Sequence, residues 1–277
     1  MLSGDRRRWT ITLTNSLIVL IVFVWLFPVY WIIMTSLKTR NDIIRATPVF
    51  FFKPTLENYQ TIFGSTYQFA RIVEHSYFIA TVTTLVVMLM AVPAAYSLAR
   101  FRTTAARRLA LWILSLRMLP PIAAVIPYYV LATKVGMLDS YSAMVVVYGA
   151  LGLPLAIWLL RGFFTDLPEE LDQAARLDGY GYMGVLRRII LPLGAPSIAV
   201  TAILTFVFTW NEFLLALLLT DTKAVTVPVQ ISKMILAYQV LWGELSAAGV
   251  IALIPLVVVV FALQRYIVRG LTLGAVK

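Results

Sequence analysis

Long apolar stretches separated by short polar segments dominate this chain. A helix needs about 20 mostly apolar residues to cross a bilayer, so runs of this length that are almost free of charge predict six membrane-spanning helices. The predicted spans cover residues 9–37, 75–99, 109–133, 140–160, 195–219 and 245–264. Several contain proline, which membrane helices tolerate because neighbouring groups satisfy the freed carbonyls. The pattern therefore predicts an all-α polytopic membrane protein.

One polar segment does not fit this apolar pattern. Residues 169–196 read EELDQAARLDGYGYMGVLRRIILPLGAP and lie between the fourth and fifth predicted spans. Acidic residues in the first turn predict a short helix over 169–177. Gly179 and Gly181 are expected to permit unusual backbone angles in a turn, and a second short helix is predicted over about 183–190. The segment is thus a polar helix-turn-helix at the membrane face.

Composition and charge agree with a membrane protein and set its orientation. Of the 277 residues, 61% are hydrophobic and 13% are charged, whereas soluble domains carry about 25% charged residues. The net charge of +10 therefore does not indicate nucleic acid. With the N-terminus inside, the inner segments hold fourteen Lys and Arg residues and the outer segments eight, many of them in the long loop 36–74. The positive-inside rule then predicts that both termini are cytoplasmic.

The chain lacks the sequence signatures of catalysis. It has no cysteine and a single histidine, His75, which excludes thiolate chemistry and histidine metal clusters. No lysine follows a glycine, so the sequence contains no phosphate-binding loop of the G-x-x-x-x-G-K-[ST] type. We expect a non-catalytic chain that does not hydrolyse nucleotide by that route.

Two ionisable residues stand out inside the predicted spans, Arg117 and Glu212. Charge in hydrocarbon costs at least about 2.5–3.5 kcal/mol, so each is a functional candidate. For Arg117, which precedes a proline pair, a structural clamp is favoured over a solute contact. Glu212 and Asn211 lie beside Trp210 and Phe213, which suits either a sugar or an interhelical hydrogen bond. An Arg117–Glu212 ion pair is a third possibility.

The polar segment resembles the EAA loop of binding-protein-dependent ABC importer permeases. The family pattern is roughly E-A-A, then Asp-Gly, then I-x-L-P. The matching residues here are Ala174, Ala175, Asp178, Gly179, Ile190, Leu191 and Pro192. Gln173 stands where the family usually has glutamate, and Asp172 beside it does not lie on the same helical face. The small Ala174 and Ala175 would let another backbone approach closely.

The resemblance extends over nearly the whole chain. SLKTRNDI, PTLENYQTIF, MLPPIAAVIP, TWNEF and QRYIVRGLTLGAVK look like the carbohydrate subfamily, and within it the second, six-span permease subunit of maltose-type systems. On this basis residues 1–72 form an N-terminal tail, first span and periplasmic loop. Residues 73–267 form a five-helix permease core that contains the EAA loop at about 165–193, and residues 268–277 form a cytoplasmic tail.

The resemblance implies a fold, a location and partners. The fold would be that of a type I ABC importer permease with a cytoplasmic coupling helix, in the bacterial inner membrane. The partners would be a second permease in a heterodimer, two ATPase subunits that bind ATP and Mg, and a periplasmic or lipid-anchored solute-binding protein. Membrane lipid and a sugar-like solute complete the set, and no nucleic acid is expected.

The resemblance also implies which residues meet the ATPase. The ATPase-coupling residues would be Glu169, Glu170, Gln173, Ala174, Ala175, Asp178 and Gly179. In related importers the C-terminal tail reaches the ATPase interface, which here would involve residues 270–277. The solute-path candidates remain Arg117, Trp210, Asn211 and Glu212.

These observations lead to one favoured function and two alternatives. The favoured one is the permease subunit of an ATP-driven importer for a sugar or polyol. The first alternative is an importer for an anionic solute, such as a sugar phosphate, sulfonate or acid, with Arg117 as the counter-charge. The second belongs to another class, a facilitator or channel that works alone.

Overall fold

The computed structural model of the chain describes residues 2–101, 103–235 and 240–273, with side chains for 11–101, 103–235, 240–262 and 264. In these ranges the structure is helical apart from turns, loops and one isolated bridge between Ile235 and Val240. The helices are α1 Leu2–Ser36, α2 Arg40–Ile43, α3 Glu57–Phe63, α4 Phe69–Arg100, α5 Thr104–Ser115, α6 Pro121–Lys134, α7 Tyr141–Asp166, α8 Glu170–Leu177, α9 Tyr182–Val185, α10 Leu191–Trp210, α11 Leu214–Leu219, α12 Val227–Ser232 and α13 Trp242–Leu273.

Five helical stretches of the described chain are long and apolar enough to cross a membrane, and a bent pair supplies a sixth if it counts as one span. The five are Ile11–Ser36, Phe69–Arg100, Tyr141–Asp166, Tyr182–Trp210 and Trp242–Ala262. The bent pair is Thr104–Met118 with Pro121–Lys134, at an angle of 91°. The third predicted span, 109–133, corresponds to this bent pair, and the bend lies at the proline pair within it.

The break has a local cause at Pro120 and Pro121. A residue before proline is forced out of the α region, and Leu119 is extended with φ −66° and ψ 123°. Pro121 then begins α6 at a position where its missing N–H leaves no helical hydrogen bond unmade. Prolines 28, 93 and 154, by contrast, lie inside continuous helices.

The fifth predicted span, 195–219, also has different bounds. Its helix begins at Tyr182 and ends at Trp210, so the short helix predicted over 183–190 is the first part of the span rather than a separate element. A π-helical stretch at Leu186–Ile190 joins α9 to α10. Glu212 therefore lies beyond the end of this helix and not inside it.

The described residues divide into two compact units. One unit comprises Met1–Phe69 and Ile231–Leu253. In it, the buried amide of Asn58 donates to the carbonyls of Ser36 and Lys38 at 2.9 and 2.8 Å. Gly243 abuts the same amide, and a Cβ at this glycine would collide with it. The end of α1 is thereby fixed against α3 and the start of α13.

The other unit comprises Ala70–Gln230 and Ile254–Lys277. Its core contains small residues of α4 and large apolar residues of α7 and of the segment before α10. Phe164 and Ile190 are both fully buried in it. Gly194 of α10 packs so tightly that an added Cβ would lie 2.9 Å from Cε1 of Phe164. The boundaries predicted at residues 72 and 267 stay predictions.

Asp139 ties the start of α7 to the loop after α11. Its carboxylate accepts backbone N–H groups from the four residues 221–224 at 2.9–3.0 Å, and the hydroxyl of Thr222 at 3.1 Å. Burial raises the pKa of Asp139, but the four backbone hydrogen bonds lower it more, so this pKa lies well below its ordinary value. Asp139 also adopts the left-handed region, with φ 53°, which Asp and Asn tolerate.

We expect Asp139→Asn to lower thermal stability at neutral pH, by an amount of the order of 1–3 kcal/mol, because an amide replaces a charged acceptor that holds four N–H groups. Asparagine tolerates the same backbone region, so the effect reports the charge. A folded pKa below the unfolded one gives stability that is complete above about pH 3.9 and is lost as pH falls through the folded value. Melting curves of both proteins should therefore differ by a constant amount from pH 8 to pH 5. A difference that vanishes by pH 5 contradicts this account.

Candidate functional site

The polar segment forms a short helix that ends in a defined turn. Helix α8 spans Glu170–Leu177, one residue later than the predicted start. At its end the N–H of Tyr180 bonds to the carbonyl of Ala175, and the N–H of Gly179 bonds to the carbonyl of Arg176, both at 3.0 Å. This pair of hydrogen bonds is a Schellman motif, which stops the helix and satisfies its last carbonyls.

The two glycines of this turn differ. Gly179 has φ +86°, a backbone angle that side chains with a Cβ disfavour and branched ones strongly so, and this confirms the expectation for Gly179. Gly181 has φ −72° and ψ 170°, which any residue adopts. Gly181 thus permits an unusual angle but does not adopt one, since the Schellman turn requires only one left-handed residue.

Asp172 attaches α8 to the membrane helices. Although it lies on a polar helix, only 11% of its side chain is exposed, and its Oδ2 lies 2.7 Å from Nη2 of Arg100. The hydroxyl of Tyr96 donates to its Oδ1 at 2.6 Å. Both partners belong to α4, so a buried, charge-assisted contact joins α8 to the end of a membrane span.

Arg100 joins a third element to this contact. Its Nη1 donates to the carbonyl oxygens of Phe164 and Leu167 at 3.0 and 3.1 Å, which lie at the C-terminal end of α7. A cation is favoured there by the helix dipole and by carbonyls without a helical partner. Arg100 therefore holds the ends of α4 and α7 and the side of α8 together, and we call Tyr96, Arg100 and Asp172 the α8 anchor.

Two arginine side chains that stack on tyrosine rings stabilise the turn after α8. The guanidinium of Arg176 lies 3.9 Å from the ring centroid of Tyr182. The guanidinium of Arg188 lies over Tyr180 at 4.7 Å and donates to its hydroxyl at 2.7 Å. These cation–π contacts join α8 to the start of the following span.

The predicted ATPase-coupling residues divide between two faces. The exposed ones are Glu170, Gln173, Ala174, Asp178 and Gly179, whereas Glu169 is half-buried. Ala175 is 2% exposed and packs into the chain's own core, so it does not offer a surface to another backbone.

Leu177 adds an apolar residue to this exposed set, with 90% of its surface accessible. The exposed tip of α8 thus combines polar side chains, one alanine and one leucine. Asp172 and Gln173 lie on different faces, as the sequence indicated.

A cavity of about 490 Å³ lies among α6, α7 and α10 and is lined by both Arg117 and Glu212. Nη1 of Arg117 donates to the carbonyl of Leu151 at 2.9 Å, and its guanidinium lies 5.5 Å from the ring centroid of Phe208. The acceptor belongs to α7 and not to the prolines beside Arg117. Arg117 thus has the backbone contact that a structural clamp requires, while it still lines the cavity.

Glu212 begins a short helix at the edge of the same cavity. Its carboxylate accepts the N–H groups of Leu215 and Ala216 at 3.0 and 3.3 Å. These are unpaired donors of the first turn of α11, which an acid stabilises. Within the described residues Arg117 and Glu212 form no ion pair, because each is engaged by backbone groups.

The other two path candidates do not line the cavity. Trp210 is 3% exposed and stacks on Phe206 with centroids 5.9 Å apart. Asn211 donates to the carbonyl of Val207 one turn back at 2.8 Å. The aromatic residues at the cavity are instead Tyr128, Tyr148 and Phe208. Sequence reasoning missed them because they come from three separate helices and carry no local signal.

The predicted C-terminal contact falls largely outside what the structure describes. The backbone of α13 runs to Leu273, and residues 274–277 lie outside the described ranges.

Comparison with known proteins gives a family match over most of the chain. Residues 88–273 match the family described as "Binding-protein-dependent transport system inner membrane component". The chain is 37% identical over 262 residues to the trehalose/maltose transport system permease protein MalG of Thermococcus litoralis, covering 94% of each chain. It is 33% identical to the sulfoquinovosyl glycerol transport system permease protein SmoH of Agrobacterium fabrum, covering 91% of this chain and 89% of that one.

A solved structure has the same fold. The chain matches a chain from the crystal structure of a bacterial ABC transporter involved in the import of the acidic polysaccharide alginate, with a TM-score of 0.78. The match covers 96% of this chain and 99% of the other at 20% identity.

The α8 anchor generates a test of stability. We expect Arg100→Met to destabilise the protein by about 3–5 kcal/mol, because it leaves the Asp172 carboxylate buried without its cation. The double variant Arg100→Met/Asp172→Leu should recover part of this loss, since no unpaired charge remains. Thermal and denaturant unfolding of purified protein measures both.

Arg161→Met is the matched control. Arg161 is half-exposed and makes one hydrogen bond, from Nε to the carbonyl of Leu98 at 3.3 Å, so its loss should cost about 1 kcal/mol. Equal losses at Arg100 and Arg161, or no recovery in the double variant, argue against the anchor.

Proposed function

Because the chain belongs to the family of binding-protein-dependent transport system inner membrane components, we propose that it is the permease subunit of an ATP-driven importer for a sugar or polyol. In this function it forms half of the translocation path and couples that path to an ATPase on another chain. The observation that carries the proposal is α8, an exposed polar helix anchored to two membrane spans in a sequence that lacks a phosphate-binding loop.

Membership of the family confirms several expectations from the sequence. The chain is a non-catalytic transport subunit, it has the ABC importer permease fold, and it lies in the bacterial inner membrane as a multi-pass protein. The predicted cytoplasmic position of its termini stays a prediction.

The proposed importer contains several other subunits besides this chain. It comprises a second permease as heterodimer partner, two ATPase subunits that bind ATP and Mg, and a periplasmic or lipid-anchored solute-binding protein. A solved structure with the same fold is that of a bacterial alginate ABC transporter in complex with an alginate pentasaccharide-bound periplasmic protein. The family description itself specifies dependence on a binding protein.

The coupling step follows from how α8 is held. A partner that grips the exposed tip around Gln173 and Leu177 displaces a helix whose opposite side carries Asp172. Because Asp172 is bound to Arg100, and Arg100 to the end of α7, the displacement reaches α4 and α7 directly. Gln173 supplies a hydrogen-bonding side chain without charge at the tip, where the family usually has glutamate.

The solute class rests on the cavity and on the relatives. Tyr128 and Phe208 provide aromatic surface beside Thr205 and Glu212, with the mostly buried Tyr148 behind them in the wall. This suits a sugar with apolar faces and hydroxyl edges. Relatives are named for trehalose/maltose and for sulfoquinovosyl glycerol. We therefore place the solute among carbohydrates and leave its identity open.

Two alternative functions predict different experimental results. An importer for an anionic sugar derivative uses Arg117 as counter-charge, and this residue lines the cavity. A stand-alone facilitator needs no ATPase, and it would show solute flux in liposomes that contain this chain alone. The anchored polar α8 has no purpose in such a facilitator, and this favours the importer.

The coupling role is tested by a pair of glycines two residues apart. We expect Gly179→Val to abolish uptake although the protein still reaches the membrane, because valine at φ +86° disrupts the turn after α8. Gly181→Val should leave uptake near the wild-type level, since this glycine has an ordinary φ and open space around its Cα. Solute uptake by cells and ATP hydrolysis by the reconstituted complex are the measurements.

Stimulation of ATP hydrolysis by the binding protein should be lost in Gly179→Val and retained in Gly181→Val. Ala174→Asp, which changes only the exposed tip, should resemble Gly179→Val. Wild-type uptake in both Gly179→Val and Ala174→Asp refutes the coupling role of α8.

The role of Arg117 is tested by Arg117→Gln. Under the sugar proposal we expect less assembled complex and a similar loss of uptake for every transported solute, because a clamp between the helix break and α7 is weakened. Recovery of the complex by co-purification and uptake of neutral and anionic sugars are compared. Full assembly with loss confined to the anionic solute supports the anionic alternative instead.

A further inference from the structure

A second cavity, in the unit that contains α1, holds a buried cation with no counter-charge. The cavity measures about 490 Å³ and lies among the end of α1, α2 and the start of α13. Lys38 lines it and is 3% exposed. The site belongs to a different unit from the cavity that Arg117 and Glu212 line.

The surroundings of Lys38 provide contacts for its aliphatic side chain but do not compensate the charge of its ammonium group. Its Nζ lies 4.6 Å from the ring centroid of Trp31 and 5.2 Å from that of Phe52. Such cation–π contacts stabilise an ammonium by less than its removal from water destabilises it. In the described part of the chain Lys38 forms no ion pair. An anion from outside the chain would supply the missing stabilisation.

The one acid at the cavity is already engaged. The carboxylate of Asp42 accepts the hydroxyl of Thr39 at 2.8 Å and pairs with Arg45 at 3.6 Å. Two cationic side chains and one acidic side chain line the cavity, which leaves a net charge of +1. A monoanion matches this charge, whereas a zwitterion would place a second cation beside Lys38 and Arg45.

The position of Lys38 is fixed by the backbone. Its own carbonyl accepts the buried amide of Asn58 at 2.8 Å, and the neighbouring Leu37 carbonyl accepts the N–H of Thr55 at 2.9 Å. The main chain that carries this side chain is therefore held in place by two hydrogen bonds. Such rigidity is a property of a formed binding site.

The setting of the cavity indicates a lipid rather than a small soluble anion. Trp31 lies near the end of the first membrane-spanning helix, and Trp242 begins the last one, and tryptophan is enriched at this depth of the bilayer. Ile32, Ile43 and Leu245 give the cavity apolar walls. Helix α1 runs alongside the cavity, and no residue in its most apolar stretch is buried.

We propose that this cavity binds the headgroup phosphate of an anionic membrane phospholipid, with Lys38 as its counter-charge and the acyl chains along α1. Arg45 lies at the exposed rim and provides a second cation. With the predicted cytoplasmic N-terminus, the site belongs to the outer leaflet. A phospholipid headgroup and a free phosphodiester both present a phosphate monoanion. The experiment below distinguishes these two sources.

The test compares lipid retention by the purified full chain. Wild-type protein, Lys38→Met and Lys134→Met are exchanged into nanodiscs with phosphatidylcholine and a minor fraction of phosphatidylglycerol, and retained lipids are counted by native mass spectrometry. Methionine keeps the apolar stem of Lys38 against Trp31 but removes the charge. Lys134 is an exposed lysine at the end of α6 and is the matched control.

We expect wild type and Lys134→Met to retain one phosphatidylglycerol that Lys38→Met binds roughly tenfold or more weakly, since a charge-assisted contact is lost. Lys38→Arg should restore retention, and Arg45→Gln, at the exposed rim, should weaken it less. Melting temperatures in detergent without lipid check that each variant folds. If Lys38→Met does not fold, Lys38→Arg and Arg45→Gln carry the comparison.

Three results overturn the proposal. Equal retention of phosphatidylcholine and phosphatidylglycerol by wild type removes the role of charge. Unchanged retention in Lys38→Met places the lipid elsewhere. Displacement of the bound lipid by millimolar glycerophosphoglycerol, which has the headgroup without acyl chains, assigns the cavity to a free anion.

Discussion

The ion pair between Arg100 and Asp172 is the contact on which the rest of the functional site depends. It is short, at 2.7 Å, and mostly buried, so neither charge is well solvated without the other. Through the same guanidinium the ends of α4 and α7 are held together. Without this ion pair, Asp172 keeps the hydrogen bond from Tyr96 but its buried carboxylate loses the cation beside it. The proposed coupling through α8 depends on this attachment to two membrane helices.

Local chemistry is what the sequence predicts well. Apolar runs located most of the spans, Asp178 and Gly179 located the end of α8, and the different faces of Asp172 and Gln173 followed from helix periodicity. Each of these depends on residues within one or two helical turns. Gly179 and Gly181 could not be told apart in this way, because composition alone does not distinguish a glycine required by φ from one that is merely tolerated.

Contacts between distant segments are what the sequence could not provide. Tyr96 and Arg100 meet Asp172 across more than seventy residues, and nothing in their neighbours signals it. The wall of the cavity lined by Arg117 and Glu212 likewise combines Tyr128, Tyr148 and Phe208 from three helices. The helix break at Pro120 and the end of the fifth span at Trp210 depend on how freed backbone groups find partners. Hydropathy does not measure that.

Arg100 and Lys38 are two cations that differ in how their charge is compensated. Arg100 contacts a carboxylate and two carbonyl oxygens, all within the protein, so its charge is compensated without a ligand. Lys38 is 3% exposed and lies against the rings of Trp31 and Phe52, and among the described residues it forms no ion pair. Buried charges are stable when a partner compensates them, and the two proposals differ in where that partner comes from. Arg100 finds its partners inside the protein and belongs to the proposed coupling element, whereas Lys38 belongs to the proposed lipid site, where the partner comes from the membrane.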